Sequence, residues 1–258
     1  VDNWDSFYRT GINNASSVSI SGSADKIAYR FGISNVYEQS ILPNSGSNQQ
    51  GINMNTTYDL LSNLQLAVNA NYVFEKFNGR SNLSDGNGNT NASLIHRGNS
   101  FDIRWLERGS ATSNWGTSES GAELLGGTNV YFNNPYWLQY RKTNDMNKNR
   151  LTGSMNLKWD ITNWLYVQGA VQRDGYNLDF KQVQPVGAAA DPSGWMTEYS
   201  KSYSEINLNY LVGFNKEFND WSVAATFGGN RQRNITKQYI PSDGGRPFII
   251  DGLWSVNN

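Results

Sequence analysis

The stretch Tyr58–Phe74, YDLLSNLQLAVNANYVF, decides the fold. Leu64, Leu66, Val68, Ala70, Tyr72 and Phe74 are apolar at every second position, and Gln65, Ala67, Asn69, Asn71 and Val73 fall between them. Successive side chains of a strand point to opposite faces, so this segment has one greasy face and one mostly amide face. The chain as a whole is polar, with a mean hydropathy of −0.61. One side of a long strand therefore asks for oil while the other asks for water.

The same alternation recurs along the chain, and helical periodicity is scarce. Val18 and Ile20 share a face in Ser16–Gly22, as do Ile27, Tyr29, Phe31 and Ile33 in Lys26–Tyr37. Gly51–Leu60 carries Ile52, Met54 and Tyr58; Arg150–Asp160 carries Leu151, Met155, Leu157 and Trp159. Leu165–Gln172, Glu205–Phe218 and Trp221–Gly229 complete a set of about eight strands. Their connections alternate in length. GSAD (Gly22–Asp25), DLLSN (Asp59–Asn63), DITNW (Asp160–Trp164) and NKEFND (Asn215–Asp220) read as tight hairpin turns. The others read as long: Glu38–Gln50, a very long segment at about 76–148, residues 181–201, and a loop starting after Arg233.

If the strands run up and down, all short turns lie at one end and all long loops at the other. Transmembrane β-barrels follow that rule, and about 9–11 tilted residues per strand cross a bilayer. Tyr58, Trp159, Trp164, Phe218 and Trp221 flank three of the short turns, where an aromatic girdle belongs. The reading is an all-β, antiparallel up-and-down transmembrane barrel segment. Leu66, Val68, Leu157, Val167, Leu208 and Val223 face lipid, and Asn69, Asn71, Gln168, Asn207 and Asn209 face a wet lumen.

Composition narrows the function. Among 258 residues there is no Cys, so disulfides, thiolate metal sites and Cys nucleophiles are excluded. A net charge of −1 gives no basic field for nucleic acid. No apolar run reaches the ~20 residues of a membrane helix.

Several motifs together resemble one family. NWDSFYRTG (Asn3–Gly11), SSVSISGSADKIAYRFGISNVYEQSIL (Ser16–Leu42), NNPYWLQY (Asn133–Tyr140), NRLTGSMNLKWDITNWLYVQGAV (Asn149–Val171) and GLWSVNN (Gly252–Asn258) occur in this order. The set is similar to the early barrel strands of SusC/RagA-family TonB-linked outer-membrane proteins, the TonB-dependent receptors. The resemblance implies a barrel of about 22 strands around a plug, and residues 1–258 contain neither the plug nor the later strands. It also implies import of oligosaccharides or peptides, force transmitted through TonB, and a SusD-like surface lipoprotein as a lid. The short turns would be periplasmic and the long loops extracellular. The chain is read as a non-enzymatic fragment of such a transporter; the alternative is a complete small outer-membrane barrel serving as a surface enzyme or a structural or adhesion protein.

No catalytic, cofactor or metal constellation is legible. His96 is the sole histidine, set in a long loop near Ser93 and Asp102, and reads as a loop residue. Asp85–Thr90 imitates the start of a calcium loop, but Thr90 stands where the EF-hand pattern needs Gly, and His96 where it needs Glu. Aromatics beside amides suit sugar or peptide recognition. Trp105, Trp115 and Trp195 are the ligand candidates, and Trp137 in the family-like NPYW reads as structural.

Overall fold

In a computed structural model the chain is described at residues 1–83, 88–108, 117, 122–124, 133–189, 191–245 and 247–258. Eight strands form one antiparallel sheet in strictly sequential order. They are β1 (Ile12–Ala24), β2 (Ile27–Gln39), β3 (Gly46–Leu61), β4 (Leu64–Asn78), β5 (Thr143–Asp160), β6 (Leu165–Gln184), β7 (Trp195–Phe218) and β8 (Trp221–Asp243). The up-and-down sheet expected from the alternation is borne out. Among the described residues β1 and β8 are edges and do not pair with each other.

Register carries the alternation across all eight strands. One row runs Ser19–Gly32–Asn53–Asn71–Thr152–Asp174–Glu205–Asn234 through successive Cα pairs. On the opposite face, Tyr58 pairs with Leu66, Leu66 with Leu157, Val68 with Met155, and Val167 with Val212. Leu208 and Val223 belong to this apolar face through Val171 and Lys216. The apolar face is bare: Ile20 is 63% and Phe227 71% exposed. Three glycines are covered by a tyrosine ring from the neighbouring strand: Gly22 by Tyr29, Gly229 by Tyr210 and Gly213 by Tyr166. Such rings restore contact where a strand lacks a Cβ.

The turns explain the polarity of the hairpins. Residues 25–26, 62–63, 161–164 and 219–220 close one end, and Asn219 adopts φ 50°, a left-handed conformation that Asn tolerates. At the other end the connections are 40–45, 79–142 and 185–194. These differ from the bounds read in the sequence. The segments read as loops at Glu38–Gln50, 181–201 and after Arg233 are partly strand, and the long connection is 79–142 rather than about 76–148. Beyond the apolar band polar side chains occur on both faces, with Asn177, Ser202 and Lys237 continuing the apolar one, so the ladders continue without the one-sided pattern that marks an amphipathic strand. Trp195, Tyr199 and Tyr239 accordingly lie in β7 and β8, not in loops.

Most of the buried core lies outside the sheet, with Val183 and Met196 at the upper ends of β6 and β7 as exceptions. Helices α1 (Asn3–Phe7), α2 (Thr90–Ile95), α3 (Arg104–Arg108) and α4 (Pro135–Tyr140) assemble into a cap on the long-connection end. Phe7, Leu94, Ile103, Leu106 and Tyr136 pack together, with Phe7 and Tyr136 edge to face at 5.1 Å. The family-like segments around Asn3 and Asn133 thus meet in space. Asn3 donates to the carbonyls of Gly98 and Phe101 and accepts from the Ile103 N–H. Trp137 is buried against Leu138 and Ala188, as a structural residue should be. Asn89 and Asn134 cap α2 and α4, each accepting from two backbone N–H groups, and Pro135 begins α4 where no N–H is needed.

One carboxylate ties the cap together. Glu123 is 7% exposed and accepts from the backbone N–H of Asn134, from Asn133 Nδ2 at 3.0 Å and from the Ala189 N–H at 2.8 Å. It joins the 79–142 connection to 185–194. Glu123→Ala leaves these donors unsatisfied and costs ~3 kcal/mol of cap stability. Proteolytic nicking of the 79–142 connection in the intact protein should then accelerate by roughly 100-fold, while the strands stay protected.

Candidate functional site

The amide face is concave. A trough of about 480 Å³ lies over Asn53, Asn55, Asn71, Thr152 and Asp174. A larger one of about 930 Å³ adjoins it over Asn156, Gln168, Asn209, Asn230 and Gln232. Period two places every one of these side chains on the face away from the apolar band. The lumen residues expected from sequence, Asn69, Asn71, Gln168, Asn207 and Asn209, all belong to this surface.

Polar groups on this face hold one another in place. Asn69 Nδ2 donates to Ser154 Oγ at 3.1 Å across β4 and β5. Arg150 grips Asp174 with two bonds of 2.9 and 2.6 Å, a bidentate arrangement that fixes both planes. Glu205 accepts from Tyr203 Oη at 2.5 Å and from Asn207 Nδ2 at 2.8 Å. Lys148 pairs with Glu75 at 3.3 Å. The surface is therefore a preorganised field of donors and acceptors rather than a loose polar coat.

Above the troughs stands an aromatic ladder that the sequence reading missed. Tyr176 stacks on Tyr203 with centroids 5.4 Å apart, and Phe180 on Tyr199 at 4.8 Å. The Lys148 ammonium sits 5.6 Å over the Tyr176 ring. Tyr176 and Phe180 stand four residues apart on β6, as Tyr199 and Tyr203 do on β7. That spacing is the available signal in the sequence, obscured because 181–201 reads as a loop.

The three tryptophan candidates do not converge. Trp105 stands on α3 and is 71% exposed. Trp195 opens β7, with the Lys142 ammonium 5.4 Å from its ring, so one of its faces is already engaged. Trp115 lies outside the described residues. His96 ends α2, its Nδ1 2.8 Å from the Ala92 carbonyl. Part of the calcium-like stretch also lies outside the described residues; its later part, Asn89, is the α2 cap. Among the described residues no group of three or more metal-ligating side chains comes together.

These features define a class: an antiparallel up-and-down barrel wall with an oily outer face, a hydrogen-bonding inner face and a loop cap at one end. Solved structures share the fold. The RagAB peptide importer in its closed-closed state matches 99% of the chain at 10% identity with a TM-score of 0.71. The RagAB peptide transporter matches 95% at 12% identity and 0.68. The ferric-catecholate import receptor Fiu from E. coli K12, in its open form, matches 89% at 11% identity and 0.54. The resemblance to SusC/RagA-family barrels is thus borne out at the level of fold. The chain spans 28%, 27% and 34% of the length of these three chains. No family model and no curated protein matches the sequence.

Lys142 gives the cap a pH dependence. It is 7% exposed, and burial lowers its pKa from 10.5 to about 8. Among the described residues no carboxylate pairs with it. Below about pH 8 both folded and unfolded chains carry the charge, and the full burial penalty is felt. Between that value and 10.5 the unfolded chain binds more protons, so stability rises with pH. Thermal unfolding of the cap should shift upward from pH 7.5 to pH 10 in the wild type, an increase that Lys142→Met removes.

Proposed function

We propose that this chain is a wall segment of an outer-membrane, TonB-dependent importer of the SusC/RagA kind that carries oligosaccharides or peptides. The observation that carries the reading is the separation of oil and amide across all eight strands of a sheet whose fold recurs in RagAB and Fiu. The apolar face, with Leu66, Val68, Leu157, Val167, Leu208 and Val223, contacts lipid. Tyr58, Trp159, Trp164, Phe218 and Trp221 lie at the periplasmic interface, and the cap is extracellular. Lys216 supports this placement, its ammonium lying 5.2 Å over the Trp164 ring and 5.1 Å over Phe218, as a snorkelling lysine does at an interface.

The inner face suits oligomeric polar substrates. Its fixed amides and carboxylates offer many exchangeable hydrogen bonds, and the ladder Tyr176–Tyr203 offers flat apolar surface. A SusD-like lipoprotein covers the cap, and TonB acts through a plug domain. Trp105, Trp115 and Trp195 contact substrate; alanine at each weakens substrate binding by the intact protein. Binding rather than chemistry is the role of these residues.

Two measurements test the reading. In cells carrying the intact protein, uptake of labelled oligopeptides or oligosaccharides should vanish when TonB is removed; uptake that persists unchanged contradicts energy coupling. The lipid-face assignment is tested by depth. Val68→Arg and Val212→Arg lie near the middle of the apolar band and should cost about 2–4 kcal/mol of folding stability in bilayers, whereas Leu208→Arg, near the rim, should cost about 0–1 kcal/mol. Equal effects at all three positions would refute the assignment.

A further inference from the structure

The apolar face ends abruptly at a group of arginines. Along β6 it runs Leu165, Val167, Gly169, Val171 and then Arg173; along β8 it runs Val223, Ala225, Phe227, Gly229 and then Arg231 and Arg233. Register brings the three together. Arg173 and Arg233 both pair with Ile206, on either side of β7, and Arg231 pairs with Leu208. Two strand spacings separate Arg173 from Arg233, roughly 10 Å, and one two-residue step separates Arg231 from Arg233, roughly 7 Å. All three residues are exposed. A Cβ placed on Gly175 would lie 3.9 Å from Arg173 Nε, so that guanidinium leans along the outer face, away from the short turns and out of the apolar band.

Among the described residues no salt bridge includes Arg173, Arg231 or Arg233. The acidic neighbours Asp174 and Glu205 point to the concave face, where Arg150, Tyr203 and Asn207 engage them. Ile206 and Leu208 are 42% and 45% exposed between the arginines, giving apolar ground for an acyl chain beside the cations. Guanidinium is the side chain best matched to phosphate, offering paired N–H donors in one plane.

We infer that Arg173, Arg231 and Arg233 form a binding site on the outer barrel face for the phosphate of an outer-leaflet membrane lipid, with Ile206 and Leu208 against its acyl chains. The site rests on the membrane-wall reading above. It places the headgroup plane at the height of Arg173 on β6 and makes the lipid a bound partner of the wall rather than bulk solvent.

The test uses the intact protein, folded in detergent, with phosphorylated lipid A as the probe and dephosphorylated lipid A and inorganic phosphate as comparisons. Each arginine near an anionic headgroup contributes about fivefold in affinity, so Arg173→Ser/Arg231→Ser/Arg233→Ser should weaken binding on the order of 100-fold. The corresponding triple lysine variant keeps the charge and should retain most of the affinity, which separates loss of the site from loss of the fold. Dephosphorylated lipid should bind the wild type as weakly as phosphorylated lipid binds the triple serine variant. Equal affinity of wild type and triple serine variant, equal binding of both lipids, or inorganic phosphate binding as tightly as the lipid would each overturn the site. None of these results bears on import, and a barrel that inserts and transports yet ignores phosphate overturns this inference alone.

Discussion

A sheet one layer thick cannot bury its own apolar residues, and this constraint governs the rest of the molecule. Each strand of the sheet shows an apolar and a polar face, and among the described residues the apolar band along β1–β8 stays largely exposed. In water the exposed row of Ile, Leu, Val and Phe would be a large liability. Against hydrocarbon the same row is solvated, and every backbone donor and acceptor between strands is already paired within the sheet. In a membrane such a wall would obtain from its surroundings what a soluble domain obtains from a core. Among the described residues the packed clusters, around Phe7, Leu94 and Tyr136 and around Trp137, Leu138 and Ala188, sit in the cap and its connections.

The cap and the wall are built by different physics. The wall relies on ladders whose register is pinned by alternation, since a slip of one residue would turn every Leu toward the lumen. The cap relies on a few buried polar groups at fixed positions. Glu123, Asn3 and Asn134 each satisfy several donors or acceptors from separate segments. Helices of five or six residues have no stability of their own. Asn caps and a shared carboxylate hold them where sequence-local propensity would not.

This difference also explains what the sequence revealed. The strands from Leu64 to Phe74 or Leu165 to Gln172 were legible because oil on one side and water on the other write a period of two. The upper parts of β6, β7 and β8 were not, because Asn177, Ser202 and Lys237 are polar on a face where Val171 and Leu208 had been apolar. The turns at Ser62–Asn63 and Asn219–Asp220 were legible from composition. Glu123 was not: its partners lie at Asn133, Asn134 and Ala189, and only the folded cap brings them to one point. The tryptophans at 105 and 195 drew notice by residue type, whereas the Tyr176–Tyr203 stack needed the pairing of β6 with β7 to become visible.

The register has a geometric consequence for anything that moves along the inner wall. Ser19 lies five residues from the strand end at Ala24, whereas Asn234, in the same row of neighbours, lies thirteen beyond the strand start at Trp221. The row climbs by eight residues across the seven pairings between them. The amides are thus laid out as a ramp rather than a ring. A solute exchanging hydrogen bonds between nearest neighbours would turn around the wall as it advanced, so rotation and translation would be geared together by the tilt of the strands.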